Sequence, residues 1–297
     1  AGEQKAVLIT GASTGIGRNM AERLAKEGYF VYAGARKDKD LAELEAIETI
    51  KAVRLDVTEQ GDVDAAVALI REEGRGLWGL VNNAGVGTRA PVVAVTDEEV
   101  DFFFAVNVDG VVRVTRAFIP LIVESKGRIV TTGSIAGIRS SPGGSVYSMT
   151  KHAVEAFTDS LAAEMAEAGV QVSVIEPGAY KSHIRRNVIG RFMDDVAASG
   201  EEVPDEMREQ AKQLAEQEIA MDEPDDVSAA LVHALSADVA LRRYLVTPNA
   251  EQAERTVRAL VQELVELNEW KQNGFSHEEL VEMLDEAMNP QPETASD

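Results

Sequence analysis

Residues 10–17 read Thr10-Gly11-Ala12-Ser13-Thr14-Gly15-Ile16-Gly17, between a short apolar run and a stretch rich in helix-forming residues. Gly11 permits a tight exit from a strand, Gly15 lets a pyrophosphate approach the backbone, and Gly17 lets the following helix pack closely. The free amides and the dipole of the helix start favour an anion. The spacing differs from the G-x-G-x-x-G fingerprint, and it lacks the Gly-Lys of a P-loop. In this strand, turn and helix setting, it predicts a dinucleotide-binding turn.

The chain on both sides of this turn alternates short β-branched runs with longer amphipathic stretches, which is typical of βαβ units. The candidate strands are 6–9, 30–33, 52–55, 79–81, 128–132, 171–175 and 244–246. Helical patterns lie between them at about 15–27, 40–47, 60–73, 97–124 and 145–168. The strands are nearly continuous in apolar residues, as expected where helices cover both faces of a parallel sheet. We predict an α/β fold with a doubly wound, Rossmann-type parallel sheet of seven strands.

Two segments depart from this alternation. Residues 179–225 follow the sixth strand and carry several basic side chains before an acidic helix at about 204–220, which predicts a substrate lid. Residues 251–297 are acidic, with apolar residues at helical spacing that need a partner surface, either on the same chain or on another subunit. We therefore predict one dinucleotide-binding catalytic domain over 1–250, followed by a helical C-terminal extension over 251–297.

The composition excludes several classes of function. The chain has 29 Lys and Arg against 51 Asp and Glu, and the resulting net charge of −22 argues against a nucleic-acid partner. The absence of cysteine excludes disulfides, thiolate nucleophiles and cysteine-ligated metals, and the four histidines form no ligand pattern, so we expect no metal site. No apolar stretch is long enough to span a membrane, and the start does not resemble a secretory signal. We expect a cytoplasmic protein, unless a leader has been removed.

The end of the second strand bears on the choice of dinucleotide. An acidic residue there would bind the adenosine ribose, whereas Arg36 and Lys37 suit the additional 2′-phosphate, so NADP(H) is favoured. NAD(H) remains possible, because Asp38 and Asp40 could neutralise a solvated basic loop. Two further groups follow strand ends and are candidates for adenine and ribose contacts, or for turns without a ligand. They are Asp56 with Val57, and Asn83 with Ala84 and Gly85.

A second group of residues suits proton transfer. Tyr147 and Lys151 are four residues apart in a helical stretch, so both reach a common ligand, and the ammonium is expected to lower the pKa of the phenol. Ser134, at the end of the fifth strand, could donate a second hydrogen bond to the same substrate oxygen. Asn107 lies within a helical pattern, where its amide needs hydrogen-bond partners.

With these residues, the sequence resembles the short-chain dehydrogenase/reductase family over about residues 5–247. The end of the second strand and the helix after Tyr147 look like its hydroxysteroid and retinol dehydrogenase-like branch. The matching motifs are Thr10 to Gly17, Asp56, the block Asn82-Asn83-Ala84-Gly85, Asn107, Ser134, Tyr147-Ser148-Met149-Thr150-Lys151 and Pro177-Gly178.

The resemblance implies a role for each of these positions. Tyr147 would be the general acid and base, Ser134 the donor that polarises the substrate oxygen, and Lys151 the ribose anchor that modifies the phenol pKa. Asn107 would support a water relay to Lys151. Pro177 and Gly178 would contact the nicotinamide through their backbone, and Ser182 stands where the family often has threonine. A homodimer or homotetramer, formed through the helices at 97–124 and 145–168, is also implied.

The predicted function is hydride transfer between a nicotinamide dinucleotide and a small-molecule alcohol or ketone. Apolar residues near the site suggest a bulky hydrophobic substrate, although they could simply close the lid. They are Val86, Ile135, Ile138, Val146, Ile184, Ile189, Phe192 and Met193. A catalytically silent dinucleotide sensor on the same fold is the alternative. A serine hydrolase is disfavoured, because position 132, two before Ser134, is threonine rather than glycine.

Overall fold

The computed structural model describes residues 4–87, 89–270, 272 and 274–289. The chain divides into two compact units, Ala1–Ala253 and Glu254–Asp297. The first unit contains the whole sheet and every residue that the sequence proposed for the site.

The first unit is built on a sheet of seven parallel strands in the order β3-β2-β1-β4-β5-β6-β7. The strands are β1 (Ala6–Ile9), β2 (Phe30–Ala35), β3 (Ile50–Arg54), β4 (Gly79–Asn82), β5 (Arg128–Thr132), β6 (Gln171–Pro177) and β7 (Arg243–Val246). The predicted fold class is confirmed. The chain moves from β1 to β2 on one side and later from β1 to β4 on the other, so a crevice opens at the carboxyl ends of β1 and β4.

Helices flank the strands. They are α1 (Gly15–Lys26), α2 (Asp38–Glu45), α3 (Gln60–Glu73), α4 (Asp97–Phe104), α5 (Gly110–Ser125), α6 (Ser145–Met165), α7 (Ile184–Ala198), α8 (Asp205–Ile219) and α9 (Asp225–Ser236). Then α10 (Ala250–Glu269) crosses the boundary between the units, and α11 (His277–Met288) lies in the second. Among the described residues, no helix is long and apolar enough to cross a membrane.

The prediction of a single helix over 97–124 was wrong in one respect. A π-helical turn at Ala105–Asp109 separates α4 from α5, and it contains Asn107. Residues 179–225 contain the expected acidic helix as α8, and they also contain α7, whose apolar periodicity the sequence reading did not recognise.

The core has two layers, one on each face of the sheet, because successive residues of a strand point in opposite directions. On β1, Val7 and Ile9 pack with Met20 of α1 and with the apolar face of α9, whereas Leu8 packs with Phe118 of α5. All are fully buried, and each contributes about 1.5–3 kcal/mol of hydrophobic free energy. Packing on both faces of the sheet fixes the position of β1, and thereby the position of the glycine-rich turn that follows it.

We expect Gly17→Ala to destabilise the fold by about 1–3 kcal/mol, because the new Cβ would overlap Asn83 Nδ2 and the carbonyl oxygen of Gly11. Denaturant unfolding measures the change. Gly61→Ala, in the first turn of α3, is the matched control, since nothing lies within 4 Å of the added carbon. Equal stability of the two variants would contradict the close packing of α1 on this turn.

Candidate active site

The turn after β1 contains two positions that favour glycine. Gly11 and Gly15 have φ angles of +64° and +58°, in the left-handed region. A Cβ on Gly11 would lie 2.7 Å from Ala84 Cα, and one on Gly15 would lie 3.2 Å from Ser182 Cα. The turn therefore runs closely between the residues after β4 and the segment that leads to α7. The structure brings Ser182 against Gly15.

The start of α1 fits a phosphate group. Its N-cap residue, Thr14, makes no side-chain capping hydrogen bond to a described residue, and its first turn carries no acidic side chain. The first N–H groups of the helix, which include those of Ile16 and Gly17, have no carbonyl partner within the helix. Ser13 and Thr14 are half-buried beside them. The helix dipole and the available N–H groups suit the negative charge of a pyrophosphate.

Asn83 joins three strand ends. Its side-chain amide donates to the carbonyl oxygens of Thr10 and Gly11, each at 3.1 Å, and its Oδ1 accepts a hydrogen bond from Thr132 at 3.2 Å. The hydroxyl of Thr10 accepts from the N–H groups of Asn83 and Ala84, both at 3.0 Å. The side chain of Asn83 thus supports the turn, and Thr10 is a supporting residue that the sequence reading did not single out.

Arg36 and Lys37 follow β2 and extend into solvent. Arg36 Nη1 lies 3.4 Å from Asp56 Oδ2, and 56% of the arginine side chain is exposed. Burial would raise the pKa of Asp56, but hydrogen bonds from Thr58 and the charge of Arg36 outweigh it and lower that pKa. Asp38 pairs with Arg54 in this structure. An exposed cation remains at the position predicted for a 2′-phosphate.

Val57 has a packing role in the structure. It is buried, a Cβ on Gly110 would lie 2.7 Å from its Cγ2, and its carbonyl accepts a hydrogen bond from Arg113 at 2.6 Å. Gly85, in contrast, lies next to the proton-transfer group. A Cβ on Gly85 would be 3.4 Å from Asn107 Oδ1 and 3.9 Å from Lys151 Nζ.

Ser134, Tyr147 and Lys151 come together at the carboxyl end of β5. The side chain of Ser134 interacts with the Tyr147 phenol, and its Oγ accepts a hydrogen bond from the N–H of Ala136 at 3.1 Å. Lys151 Nζ donates to the carbonyl oxygen of Thr132 at 2.8 Å and lies 5.8 Å from the centre of the Tyr147 ring. The spacing of four residues on α6 does place the phenol and the ammonium side by side.

The electrostatics of this group differ from the prediction. Burial raises the pKa of Tyr147, and the hydrogen bond from Ser134 and the charge of Arg185 only oppose that rise. Burial also lowers the pKa of Lys151 to about 8, with the charge of Glu155 acting in the opposite direction. The expected lowering of the phenol pKa by Lys151 was therefore wrong for this structure. Desolvation dominates both groups, which favours a protonated phenol beside a readily deprotonated amine.

Asn107 lies in the π-helical turn and is almost completely buried. Its Oδ1 accepts from the N–H of Val86, and its Nδ2 donates to the carbonyl of the same residue, both at 2.8 Å. Nδ2 also donates to Thr150 Oγ1 at 3.0 Å, and that hydroxyl donates to the carbonyl of Tyr147 at 2.8 Å. The amide therefore has all the partners that a buried polar group needs, and it connects the loop after β4 to the turn of α6 that carries Tyr147.

Pro177 and Gly178 lie at the end of β6, held by a neighbour that the sequence gave no reason to expect. The N–H of Gly178 donates to Val246 at 2.7 Å, and the N–H of Ala179 donates to Gln252 Oε1 at 3.0 Å. Gln252 belongs to α10, outside the motifs that the sequence offered. A Cβ on Gly178 would lie 2.7 Å from the same Oε1, so the turn is tightly packed.

The predicted lid segment lies beside Tyr147. A Cβ on Gly87 would be 2.9 Å from the Tyr147 ring and 3.4 Å from Ile184 Cδ1, so α7 begins next to the phenol. Val146, Val188 and Phe103 form a small buried cluster, with Val86 and Phe192 packed against it. Some of the predicted substrate-lining residues therefore pack on one another. Within the described residues, no group of three or more His, Asp or Glu side chains is placed to hold a metal ion.

A dinucleotide-type turn at the switch point of a parallel sheet, with serine, tyrosine and lysine at the adjacent strand end, defines a class of oxidoreductases. The chain belongs to the short-chain dehydrogenase/reductase family, since the family model for short chain dehydrogenase matches residues 5–190. Members of this family use NAD(H) or NADP(H).

Individual relatives agree with this assignment. The mitochondrial D-beta-hydroxybutyrate dehydrogenase of Bos taurus is 43% identical over 186 residues, which cover 59% of this chain and 54% of that protein. Retinol dehydrogenase 16 of Homo sapiens is 38% identical over 185 residues, or 61% and 58% of the two chains. The chain thus spans little more than half the length of these relatives. A solved short-chain dehydrogenase from Streptomyces avermitilis superposes with a TM-score of 0.71 at 27% identity, covering 98% of this chain and 100% of the other.

We expect Asn107→Ala to lower the free energy of unfolding by about 1–3 kcal/mol, because it leaves the buried N–H and C=O of Val86 without their partner. Urea denaturation followed by circular dichroism measures this. Asn187→Ala is the control, because it removes the same type of side chain from an exposed position of α7. It should change the free energy of unfolding little. A loss no greater than that of the control would show that the amide does not hold the loop.

Proposed function

We propose that this chain interconverts a secondary alcohol and a ketone, or an alcohol and an aldehyde, with NADP(H) as the favoured dinucleotide. The observation that carries the proposal is the grouping of Ser134, Tyr147 and Lys151 at the strand end next to the glycine-rich turn. The dinucleotide, when bound, supplies or accepts the hydride. Gly11 to Gly17 would hold its phosphates, and Gly85 leaves space for a ribose near the Lys151 ammonium.

The side chains supply the proton transfer. In the direction of reduction, Tyr147 Oη gives its proton to the substrate oxygen, and in oxidation it takes that proton back. The hydroxyl of Ser134 donates a second hydrogen bond to the same oxygen, which stabilises the negative charge that develops there. Because the pKa of Tyr147 is raised, the phenol is protonated near neutral pH and can act as the proton donor. Lys151, protonated below a pKa of about 8, stabilises the phenolate once the proton has left.

The preference for NADP(H) is supported by charge. The side chain of Arg36 is more than half exposed after β2, and its contact with Asp56 is a single long one at 3.4 Å. The acidic residue next in the chain, Asp38, is engaged by Arg54. A 2′-phosphate would therefore meet a guanidinium rather than a carboxylate at this position, and bidentate Arg–phosphate pairing is favourable.

The substrate class rests on the surfaces beside Tyr147. Ile184 and the cluster around Val146 and Phe192 are apolar, which supports a bulky hydrophobic alcohol or ketone. The two named relatives are a hydroxybutyrate and a retinol dehydrogenase, so their names do not agree on one substrate. The homodimer or homotetramer and the cytoplasmic location inferred from the sequence stay predictions.

We expect Tyr147→Phe to lower kcat by about 10²–10⁴-fold, because it removes the proton donor and keeps the ring. The assay is NADPH oxidation with a panel of aldehydes and ketones, alongside NADPH binding by fluorescence, which should be unchanged. Tyr29→Phe removes a phenol at the opposite end of β2 and should remain fully active. An active Phe variant would refute the role of Tyr147. A wild-type chain that binds NADPH but is silent with every compound would instead indicate a dinucleotide sensor.

We expect Arg36→Gln to weaken NADPH binding relative to NADH by about tenfold or more, which corresponds to at least about 1.4 kcal/mol. The measurement is the ratio of the two dissociation constants. Lys39→Gln removes a nearby exposed cation that pairs with Glu43 on its own helix, and it should leave the ratio unchanged. A ratio that is also unchanged in Arg36→Gln would exclude the phosphate contact.

A further inference from the structure

Two glutamates are buried together directly behind the proposed proton-transfer group. Glu155 lies on α6, one helical turn after Lys151, and Glu176 lies on β6, immediately before Pro177. Only 13% and 2% of their side chains are exposed. The removal of one carboxylate from water is already costly, and two side by side also repel each other. Their burial therefore needs a physical explanation that the proton-transfer mechanism does not give.

The guanidinium of Arg243 forms ion pairs with both carboxyl groups. Arg243 Nε lies 3.3 Å from Glu155 Oε2 and 3.6 Å from Glu176 Oε1, and its Nη2 donates to Asp159 at 2.7 Å. One positive charge is thus divided among three acidic side chains. Oε1 of each glutamate is buried and has no hydrogen-bond donor among the described residues. Two such carboxyl groups beside one guanidinium are accommodated best when they share a proton, since the proton supplies a donor and removes one negative charge.

The pair contacts the backbone that carries the reacting groups. A Cβ on Gly133 would lie 3.0 Å from Glu155 Oε1, and one on Gly137 would lie 3.1 Å from the same atom. The carboxyl group of Glu155 therefore packs against the chain on both sides of Ser134. Gly137 also lies against α6, since its Cβ would be 2.9 Å from the carbonyl oxygen of Lys151. Glu176 connects this point to the turn at Pro177 and Gly178.

We propose that Glu155 and Glu176 are a positioning pair, whose shared proton holds the Ser134 loop, the Lys151 turn of α6 and the end of β6 in one arrangement. Loss of that proton leaves two facing carboxylates and a single guanidinium between them. Their repulsion then weakens the packing of Glu155 against the chain on both sides of Ser134. Ser134 and Lys151 no longer hold the positions that proton transfer needs.

The charges around the pair indicate when the proton is lost. Burial first, and then the charge of Glu155, raise the pKa of Glu176 to about 8, and burial also raises that of Glu155. The charged groups facing the pair are Lys151 and Asp159 of α6 and Arg243 of β7, with Arg242 acting through Asp159. The segment after β5 meets Glu155 at Gly133 and Gly137. Since the folded-state pKa lies above the unfolded value of 4.5, the stability from this proton is full below 4.5 and is lost as the pH rises through about 8.

The test is Glu176→Gln, which keeps the shape and hydrogen-bonding capacity of the protonated acid. Thermal unfolding between about pH 5 and pH 9 does not depend on any activity, so it separates this proposal from the proposed function. We expect the melting temperature of the variant, relative to the wild type, to rise by at least about 4 °C across that range. Glu164→Gln, at an exposed position of the same helix, is the matched control and should follow the wild type.

The activity measurement rests on the proposed reductase function. We expect kcat of the wild type to fall above about pH 8, where the pair and Lys151 both lose protons. In Glu176→Gln only Lys151 still titrates, so the fall should become shallower and shift upward by about 0.4 pH unit, with KM changed less than kcat. If Lys151 alone caused the fall, neutralisation of nearby acid would move it downward, because the ammonium would lose a stabilising charge. A downward shift, or an unchanged profile in both pH series, would overturn the proposal.

Two further measurements apply if Glu176→Gln does not fold. Glu155→Gln leaves Glu176 to share the guanidinium with Asp159 alone, and it should show the same rise in relative melting temperature across the pH range. In the wild type, infrared spectroscopy should detect the carbonyl band of a protonated carboxylic acid at pH 7, and this band should disappear above about pH 9. A spectrum without that band at pH 7 would show that no proton is shared, and the positioning pair would be excluded.

Discussion

The side-chain amide of Asn83 determines how the site is assembled, because it ties three strands together at their carboxyl ends. It donates to the backbone after β1, belongs to the segment after β4, and accepts from Thr132 at the end of β5. These hydrogen bonds link the glycine-rich turn directly to the end of the strand that leads into the Ser134 loop. They hold the proposed phosphate-binding turn and the proton-transfer group at a fixed distance and orientation from each other. A reaction between two bound molecules requires such a fixed geometry.

Desolvation governs the chemistry that this assembly supports. The phenol of Tyr147 and the ammonium of Lys151 have pKa values displaced in opposite directions, and burial is the largest cause of both. Each group is therefore driven toward its neutral form, and a small change in local charge alters the balance between them. The carbonyl of Thr132 and the charge of Glu155 stabilise the protonated form of Lys151. The surroundings of the lysine thus matter as much as its distance from the phenol.

The sequence was sufficient for the sheet and for the residues that gather at its edge, because apolar runs, glycine spacing and the Tyr147–Lys151 interval are local patterns. It could not reveal the π-helical turn at Asn107, whose cause is a set of hydrogen bonds to Val86 and Thr150 that are distant in the chain. It also gave the wrong direction for the Tyr147 pKa, because spacing records the neighbouring cation but not the loss of water. Glu155 and Glu176 looked like ordinary helix and strand residues, since only the fold brings them together.

The large negative charge of the chain is compatible with an anionic ligand because charge acts locally in salt solution. At physiological ionic strength, exposed charges more than about 8 Å apart are strongly screened, so acidic residues farther than that from the turn after β1 contribute little there. The proposed dinucleotide would meet the first turn of α1, which carries no acidic side chain, and the cation of Arg36. The acids nearest the reacting groups are the buried pair, and a shared proton removes half of their charge. The local field at the site can therefore be positive although the net charge is −22.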